Sequence, residues 1–514
     1  TFPAANIGNL VNLTTARFVR PSKAPTSYTG PVNSQGDAGQ RSNIAREKFG
    51  VTGKGSKIGI LSTSWDLLKG ADAGVAAGEI PGAGNPNGYA APVKVLKEGN
   101  GLNAPDEGRA MAEIIHDVAP AAELAFYGPG NLFEFVDGIQ ALADDGSRII
   151  VDDLGWGEVE PWFQEGPAET LMRDLALKKN ITFISSAGNQ ATDSYEGVFN
   201  PSAAQTISVD GVAQGQWQLH DFGNGQLTVP IKFKKDDRFG LALQWDDRWS
   251  TFAPDMVGAT TDLDLFFFLD PEGTSYAVSD RRTSLNADPY AGAAVVAPFD
   301  DTLYIGFGKK LDASPPAGKF KAVLFGGLET DRENIINKGT AVAHNGSRWS
   351  ISSCAVNYPD INGPNGPIPA AFSSVGGVQR TRNQFGDPLP RPIVLLKPDF
   401  CSPNAGNTSF FGGDADDDGL PNFFGTSASA PHLAGVVALM QEASGGNLPA
   451  FAVGPVLRFA ARDMDDPVTP QFDFGFDFRT GYGFVEADKA VNIASYFNNR
   501  RPHFPGKRHD HGKQ

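Results

Sequence analysis

Short apolar runs alternate with helically spaced ones along the first 213 residues, and few architectures accept that rhythm. Lys57–Leu61, Glu123–Tyr127, 149–151 and 181–185 have the length and apolarity of buried strands. Between them Met111, Ile114, Ile115 and Val118 recur at helical spacing, and 168–177 reads as another helix. Parallel strands need such crossovers, so the order implies an α/β fold, a parallel sheet with helices on both faces. From about Gln214 the rhythm breaks. Residues 227–234, 241–246, 262–269, 302–307 and 320–325 are strand-like, with turn residues and no useful helix between them, which is the pattern of a β-sandwich. The α/β pattern then resumes, with strands at 349–356 and 398–401 and a helix from near Ser427. The chain is therefore expected to divide into an N-terminal arm (1–52), a first α/β part (53–213), an inserted sandwich (214–335), a second α/β part (336–497) and a basic tail (498–514).

Composition bounds the function classes. With 40% hydrophobic and 20% charged residues, a chain of 514 is globular and long enough for more than one core. Its net charge is −16, and the tail from Asn498 carries five cations against Asp510, so without the tail the charge falls to −20. Such a surface repels phosphate backbones and argues against a nucleic-acid partner. No apolar run approaches the roughly 20 residues of a membrane span, and no signal-like segment opens the chain, which starts at Thr1 as a processed chain does. Cys354 and Cys401 fit one disulfide or two buried thiols. Sequons at Asn12, Asn180, Asn345 and Asn407 are compatible with a glycoprotein and favour secretion. The first fifty residues, rich in Pro, Ser, Asn and Gly, read as an arm lying over a domain, and His503, His509 and His511 as part of a solvated tail more than as a metal site.

The chemistry concentrates at Gly425-Thr-Ser-Ala-Ser-Ala-Pro-His432, followed by Gly435. Ser427 stands among small residues where a long apolar helix begins, and a helix N-terminus favours developing negative charge. A hydroxyl is a poor nucleophile at neutral pH, so a base must take its proton. The segment resembles that of the subtilisin-like serine peptidases, the subtilases, and the resemblance puts Ser427 on their nucleophile. It extends to Ser185-Ser-Ala-Gly-Asn-Gln190 and implies that Asn189 donates its side-chain N–H to the oxyanion. Loss of such a donor costs roughly 100- to 1000-fold in rate.

The base departs from that family. Where subtilases have His-Gly-Thr at a helix start, this chain has Asp106-Glu-Gly-Arg-Ala-Met111, and the register carried on to Val118-Ala-Pro120 puts Glu107 on the histidine. His116 lies nine residues further on and reads as a surface or packing residue. The family's aspartate is also missing. In Gly59-Ile-Leu-Ser-Thr-Ser-Trp65 its position falls on Ser62 or, with a one-residue shift, Thr63. With no imidazole to stabilise, that loss matters less. The arrangement is similar to a bacterial subtilase-like group that reads Ser-Gln-Gly-Asp, Asp-Glu-Gly-Arg-Ala-Met and Val-Asp-Asp, matched here by Ser34-Gln-Gly-Asp37 and Asp152-Asp153. A serine with a glutamate base is the chemistry of the sedolisins, acid-active relatives of the same fold. Sedolisins place one aspartate a turn after that glutamate and another at the oxyanion site, where this chain has Met111 and Asn189. A lone glutamate has a pKa of about 4.3, so a second carboxyl sharing its proton is needed to raise its basicity. Asp153, at a strand end lining the cleft, is the expected partner, ahead of Asp66 and Asp106. Such a pair titrates as a unit and predicts an acidic optimum; the alternative is carboxylates that merely cap strands and a helix.

Asp414-Ala-Asp-Asp-Asp418-Gly419 spaces Asp414, Asp416 and Asp418 as calcium loops do. Gly425 holds the place of the bidentate glutamate, so this is no EF-hand, and the segment reads as a structural calcium site or an acidic turn; the chemistry itself requires no cofactor. Leu243-Gln-Trp-Asp-Asp247 and Thr261-Asp-Leu-Asp-Leu265 resemble the jelly-roll-like domains appended to secreted bacterial peptidases. Trp156, Glu158, Glu160 and Trp162 follow the cleft strand and either shape the substrate pocket or pack. The expected function is a secreted serine endopeptidase that takes peptide or protein substrates extended along the cleft by strand addition. The alternative is an inactive homologue with a binding or structural role. A lipid or ester hydrolase is disfavoured by the lack of a G-x-S-x-G elbow.

Overall fold

The computed structural model describes residues 26–27, 30–31, 35–101, 104–157, 159–281, 285–297, 299–311, 318–326, 338–364 and 366–498. Asn12, Ser34, Glu158 and the three tail histidines of the sequence reading lie outside them. The chain opens with β1 (Thr26–Ser27), β2 (Gly30–Pro31), α1 (Gly36–Gly39) and α2 (Ser42–Phe49). It continues through β3 (Lys57–Leu61), α3 (Ala71–Ala77), β4 (Lys94–Lys97), α4 (Glu107–Val118), β5 (Glu123–Tyr127), α5 (Leu132–Asp144), β6 (Ile149–Asp152), β7 (Leu154–Gly155), α6 (Pro167–Lys179) and β8 (Thr182–Ser186). An antiparallel block follows: β9 (Ser194–Val198), β10 (Gln205–Val209), β11 (Val212–Leu219), β12 (Val229–Phe233), β13 (Arg238–Trp245), β14 (Asp264–Phe268), β15 (Tyr276–Asp280), β16 (Tyr290–Val296), β17 (Asp301–Lys310) and β18 (Lys319–Phe325). The return to α/β comprises β19 (Ser350–Asn357), β20 (Gln379–Arg382), β21 (Pro388–Val394), β22 (Phe400–Asn404), β23 (Gly406–Asn407), β24 (Asn422–Phe424), α7 (Thr426–Ala443), α8 (Ala450–Ala460) and α9 (Ala487–Ser495).

The central sheet runs β22-β19-β8-β6-β3-β5-β4 with every pair parallel. Its pleat sends Ile58, Ile60, Ile149 and Val151 to the core under α4, α7 and α9, and Leu61 and Ile150 to the core under α5 and α6. Burial on both faces is why these strands read as unbroken apolar runs. Helix α7 is buried from Thr426 to Met440 and is accordingly apolar all round. After β3 the chain lays β4 and β5 on one side, then β6, β8, β19 and β22 on the other. The order therefore reverses between β3 and β6, and the crevice beyond their carboxyl ends is where open α/β sheets hold ligands.

The antiparallel block forms two sheets, β10-β11-β17-β14-β15 with β12 on β17, and β16-β13-β18-β9. Phe239, Leu241, Leu243 and Trp245 of β13 meet Leu265, Phe267, Ile305 and Phe307 of the larger sheet. Ala242 and Val323 turn the opposite way and pack against Trp162, Phe163, Val342 and Val378 of the α/β part, so the smaller sheet is covered on both faces. The block reaches back to Ser194, ahead of Gln214 where the sequence changes character. Its first strand, Ser194–Val198, is largely half-exposed and carries no apolar alternation to announce it. Cys354 and Cys401 face each other across β19 and β22 and form a disulfide. Asn345 is buried, so its sequon cannot carry a glycan on the folded chain. Among the described residues no helix is long and apolar enough to cross a membrane.

Candidate active site

Helices α4 and α7 both begin at the carboxyl edge of the sheet, beside the reversal, with Glu107 and Ser427 in their first turns. Two glycines let them sit there. A Cβ on Gly435 would lie 2.5 Å from Val118, so α7 crosses α4 in direct contact. A Cβ on Gly108 would lie 2.3 Å from the Phe126 ring, and its N–H donates to the Ser64 carbonyl at 3.1 Å, which seats α4 against the ends of β3 and β5. Asp106 precedes the helix at φ 61° and accepts from the backbone N–H groups of Leu67 (2.7 Å) and Leu68 (3.0 Å) and from Arg109 Nη2 (2.9 Å). Its carboxylate is thereby committed to clasping the loop after β3. Asp66, the other alternative partner for Glu107, accepts from the Ala71 N–H at 2.9 Å.

Asp153, the carboxyl beyond β6, is the one that faces Glu107. Both residues are fully buried. Burial first, and then the adjacent Glu107 carboxyl, push the Asp153 pKa well above the usual carboxylate range, against the opposing pull of the Ser62 hydroxyl. Both causes favour the protonated acid, so Asp153 holds its proton to higher pH than a solvated aspartic acid does. Of the two hydroxyls at the end of β3, Thr63 donates to the Ala104 carbonyl, which leaves Ser62 as the one toward Asp153.

Ser427 follows Gly425 and Thr426 at the start of α7. Gly425 adopts φ 106°, accessible to glycine, and its N–H donates to Asn404 Oδ1 at 2.7 Å. The Thr426 backbone N–H and hydroxyl both donate to Asn189 Oδ1 at 2.9 Å, while Gly188 N–H donates to the Thr426 hydroxyl at 3.1 Å. With its oxygen committed to the residue beside the nucleophile, the Asn189 amide has a fixed orientation and Nδ2 is its donating end. Ser429 donates to the Cys354 carbonyl at 2.5 Å and ties α7 to the sheet. His432 is buried, its Nδ1 2.7 Å from the Ala428 carbonyl, and burial lowers its pKa to about 4. Ser427 Oγ is buried and makes no hydrogen bond within the described residues.

His116 is the packing residue its position implied: it is buried edge-on against Tyr89 at 5.2 Å, and burial lowers its pKa to about 4. Trp156 and Trp162 pack in separate cores, against Phe135 and against the insertion. Glu160 is buried beside His344, which the sequence does not mark: the turn Ala343–Gly346 has no periodicity, and its one motif, the Asn345 sequon, says nothing of the histidine. Asp414, Asp416 and Asp418 lie exposed, with carboxylate oxygens all within 4.8 Å of one another. Tyr358 donates to Asp416 at 2.8 Å and Asn407 to Asp418 at 2.7 Å.

A family model described as the subtilase family matches residues 75–483. No curated protein matches the chain. Among solved structures it is similar to the CspB protease of Clostridium perfringens, at 15% identity and a TM-score of 0.48, over 90% of this chain and 98% of that one. It is similar to a lanthipeptide protease at 13% identity and a TM-score of 0.40, covering 89% and 93%. A third likeness, to the prenylagaramide maturation protease PagA, has 11% identity and a TM-score of 0.38 over 85% and 93%.

Proposed function

The chain belongs to the subtilase family, and on that premise we propose that it is a serine endopeptidase in which Ser427 works with a carboxylate base. In this reading Ser427 Oγ attacks the peptide carbonyl while Glu107, sharing a proton with Asp153, accepts the hydroxyl proton. The same proton then goes to the departing amine. Asn189 Nδ2 and the Ser427 N–H meet the oxyanion at the helix start, where the dipole favours negative charge. The observation that carries the reading is the convergence of Glu107, Asp153 and the start of α7 at the crevice between β3 and β6, where burial and the Glu107 carboxyl raise the Asp153 pKa. Such a pair is basic enough to act at mildly acidic pH, which a solvated glutamate is not.

Peptide substrates would add as a strand to β7, an edge this chain already fills antiparallel with its own Thr26–Ser27. Secretion belongs to the same proposal and is supported by the Cys354–Cys401 disulfide, since disulfides persist in oxidising compartments. So does calcium at Asp414, Asp416 and Asp418, for which a rise in melting temperature with calcium over chelator, lost in D416N, is the check.

The central test is labelling with a fluorophosphonate at pH 4 to 8, with S427A as control. Ser427-dependent labelling that is strongest on the acidic side is expected. Absence of such labelling, and of casein cleavage, at every pH would replace this reading with that of an inactive binding homologue.

A further inference from the structure

His344 has no exposed surface, yet it stands between two acids. Its Nδ1 lies 2.6 Å from Glu160 Oε2 and its Nε2 3.1 Å from Asp152 Oδ1, with the Phe135 ring packed at 4.6 Å. A ring that meets a carboxylate at each nitrogen must carry both hydrogens. Burial alone would lower its pKa, but Glu160 and Asp152 outweigh burial and push it up to about 10. Behind the ring, Arg380 donates to the Ala343 carbonyl and pairs with Glu169 of α6.

The next residue extends the clamp to three strand ends. Asn345 Nδ2 lies 3.1 Å from the Leu154 carbonyl, 3.0 Å from Ser185 Oγ and 2.9 Å from the Ser186 carbonyl. Ser185 in turn donates to Asp152 at 3.0 Å. One short turn therefore binds the ends of β6, β7 and β8. These lead directly to Asp153, to the strand that would receive a peptide, and to Asn189.

The other acid of the clamp belongs to a loop that the insertion holds. Gln244 lies on the face of β13 turned away from the sandwich core. Its Nε2 donates to the carbonyls of Glu160 (2.9 Å) and Gly157 (3.2 Å), and its Oε1 accepts from the Trp162 N–H at 3.0 Å. Gln244 is fully buried beside Ala242 and Val323, within the apolar contact that joins the two parts. A polar side chain placed there must be fully satisfied, and these three bonds do so only when the 157–162 loop is seated.

We propose that His344 is a positioning residue for the cleft, and that Gln244 makes the inserted sandwich part of the catalytic frame instead of an independent appendage. Gln244 seats Glu160; His344 clamps Glu160 to Asp152; the clamp fixes where β6 presents Asp153 to Glu107. The cation also offsets the Asp152 charge, which otherwise raises the Asp153 pKa further. This inference rests on Glu107 and Asp153 serving as the base.

Q244M and H344Q test it, each compared with the full-length chain for melting temperature, near-UV circular dichroism, peptide kcat and KM across pH, and the rate of fluorophosphonate capture by Ser427. Q244M, with an apolar side chain of similar volume, is expected to lower kcat and the capture rate about 10- to 100-fold with KM changed little, the size that a misplacement of about an ångström brings. H344Q is expected to do the same and to move the acidic limb of the pH profile upward. The double variant should lose no more than the worse single one, because both act through one chain of contacts. A folded Q244M that captures the label at the wild-type rate, or losses that multiply in the double variant, would overturn the proposal. If the unaltered chain shows no Ser427-dependent capture, the base assignment fails and takes this proposal with it. Capture by the unaltered chain with unchanged Q244M and H344Q kinetics sinks this proposal alone.

Discussion

At the scale of the residue, the opposing demands of stability and chemistry meet at Asp153. Its carboxyl is buried against Glu107 and Ser62 with its pKa raised, so the sign of its contribution to stability is fixed. Below an unfolded pKa of about 3.9 both folded and unfolded chains hold the proton and nothing is lost. As pH rises above that value the unfolded chain releases its proton first, and folding becomes steadily less favourable up to the folded pKa. D153N is thus expected to melt about 2–4 °C higher at pH 7, the shift that roughly 1 kcal/mol brings to a domain-sized unit, and to show a flatter stability profile between pH 4 and 7. It should also lose labelling at Ser427, the exchange expected at a strained functional site. A D153N chain that melts lower at neutral pH and labels normally would mean that the carboxyl is an ordinary structural group. Asn189 makes a separate prediction. N189A should lower kcat roughly 100- to 1000-fold while KM stays within about twofold, because the donor acts on the oxyanion and not on the bound ground state.

At the scale of the element, the two helices that begin at the site are held by a contact that glycine alone allows. A methyl on Gly435 would meet Val118 at 2.5 Å. G435A is expected to destabilise the chain by about 1–3 kcal/mol through overpacking and to weaken catalysis by shifting Glu107 relative to Ser427; a melting curve and kcat check both. The parallel sheet was legible because strands buried on both faces must be apolar and their crossovers amphipathic; Ser427, Asn189 and Glu107 came forward as candidates because they stand in local motifs at element ends. Thr63 and Ser62 could not be told apart in sequence, since the difference is a bond from Thr63 to the Ala104 carbonyl, 41 residues away. The same holds for choosing Asp153 over Asp106, whose carboxylate is engaged by the Leu67 and Leu68 N–H groups and Arg109. His344 was beyond reach for a further reason. Its partners, Asp152 and Glu160, lie nearly two hundred residues earlier and across an inserted domain, and no periodicity marks a turn of four residues.

At the scale of the whole molecule, the arm sets a condition on access to Ser427, which itself has no exposed surface. Thr26 and Ser27 pair antiparallel with Gly155 and Leu154 on β7, whose nearer end, Leu154, directly follows Asp153. Gly30 and Pro31 pair with Phe424 and Phe423 on β24, which ends immediately before Gly425. Ser27 and Gly30 are separated by three residue steps, a reach of at most about 11 Å, so the arm's attachments beside Asp153 and beside Gly425 lie close together. A substrate that binds by strand addition to β7 must take the place of Thr26 and Ser27, and a tethered competitor acts at an effective concentration of about millimolar. Removal of the arm from a chain starting at Gln35 is therefore expected to lower the apparent KM for peptides about tenfold or more and to leave kcat near its full-length value, because α1, the central sheet and both site helices are retained. Saturating substrate should erase the difference between the two chains, as competition for one edge requires. An unchanged KM would mean that peptides reach Ser427 by a route that does not use β7, and a fall in kcat without a change in KM would mean that the arm supports the cleft and does not fill it.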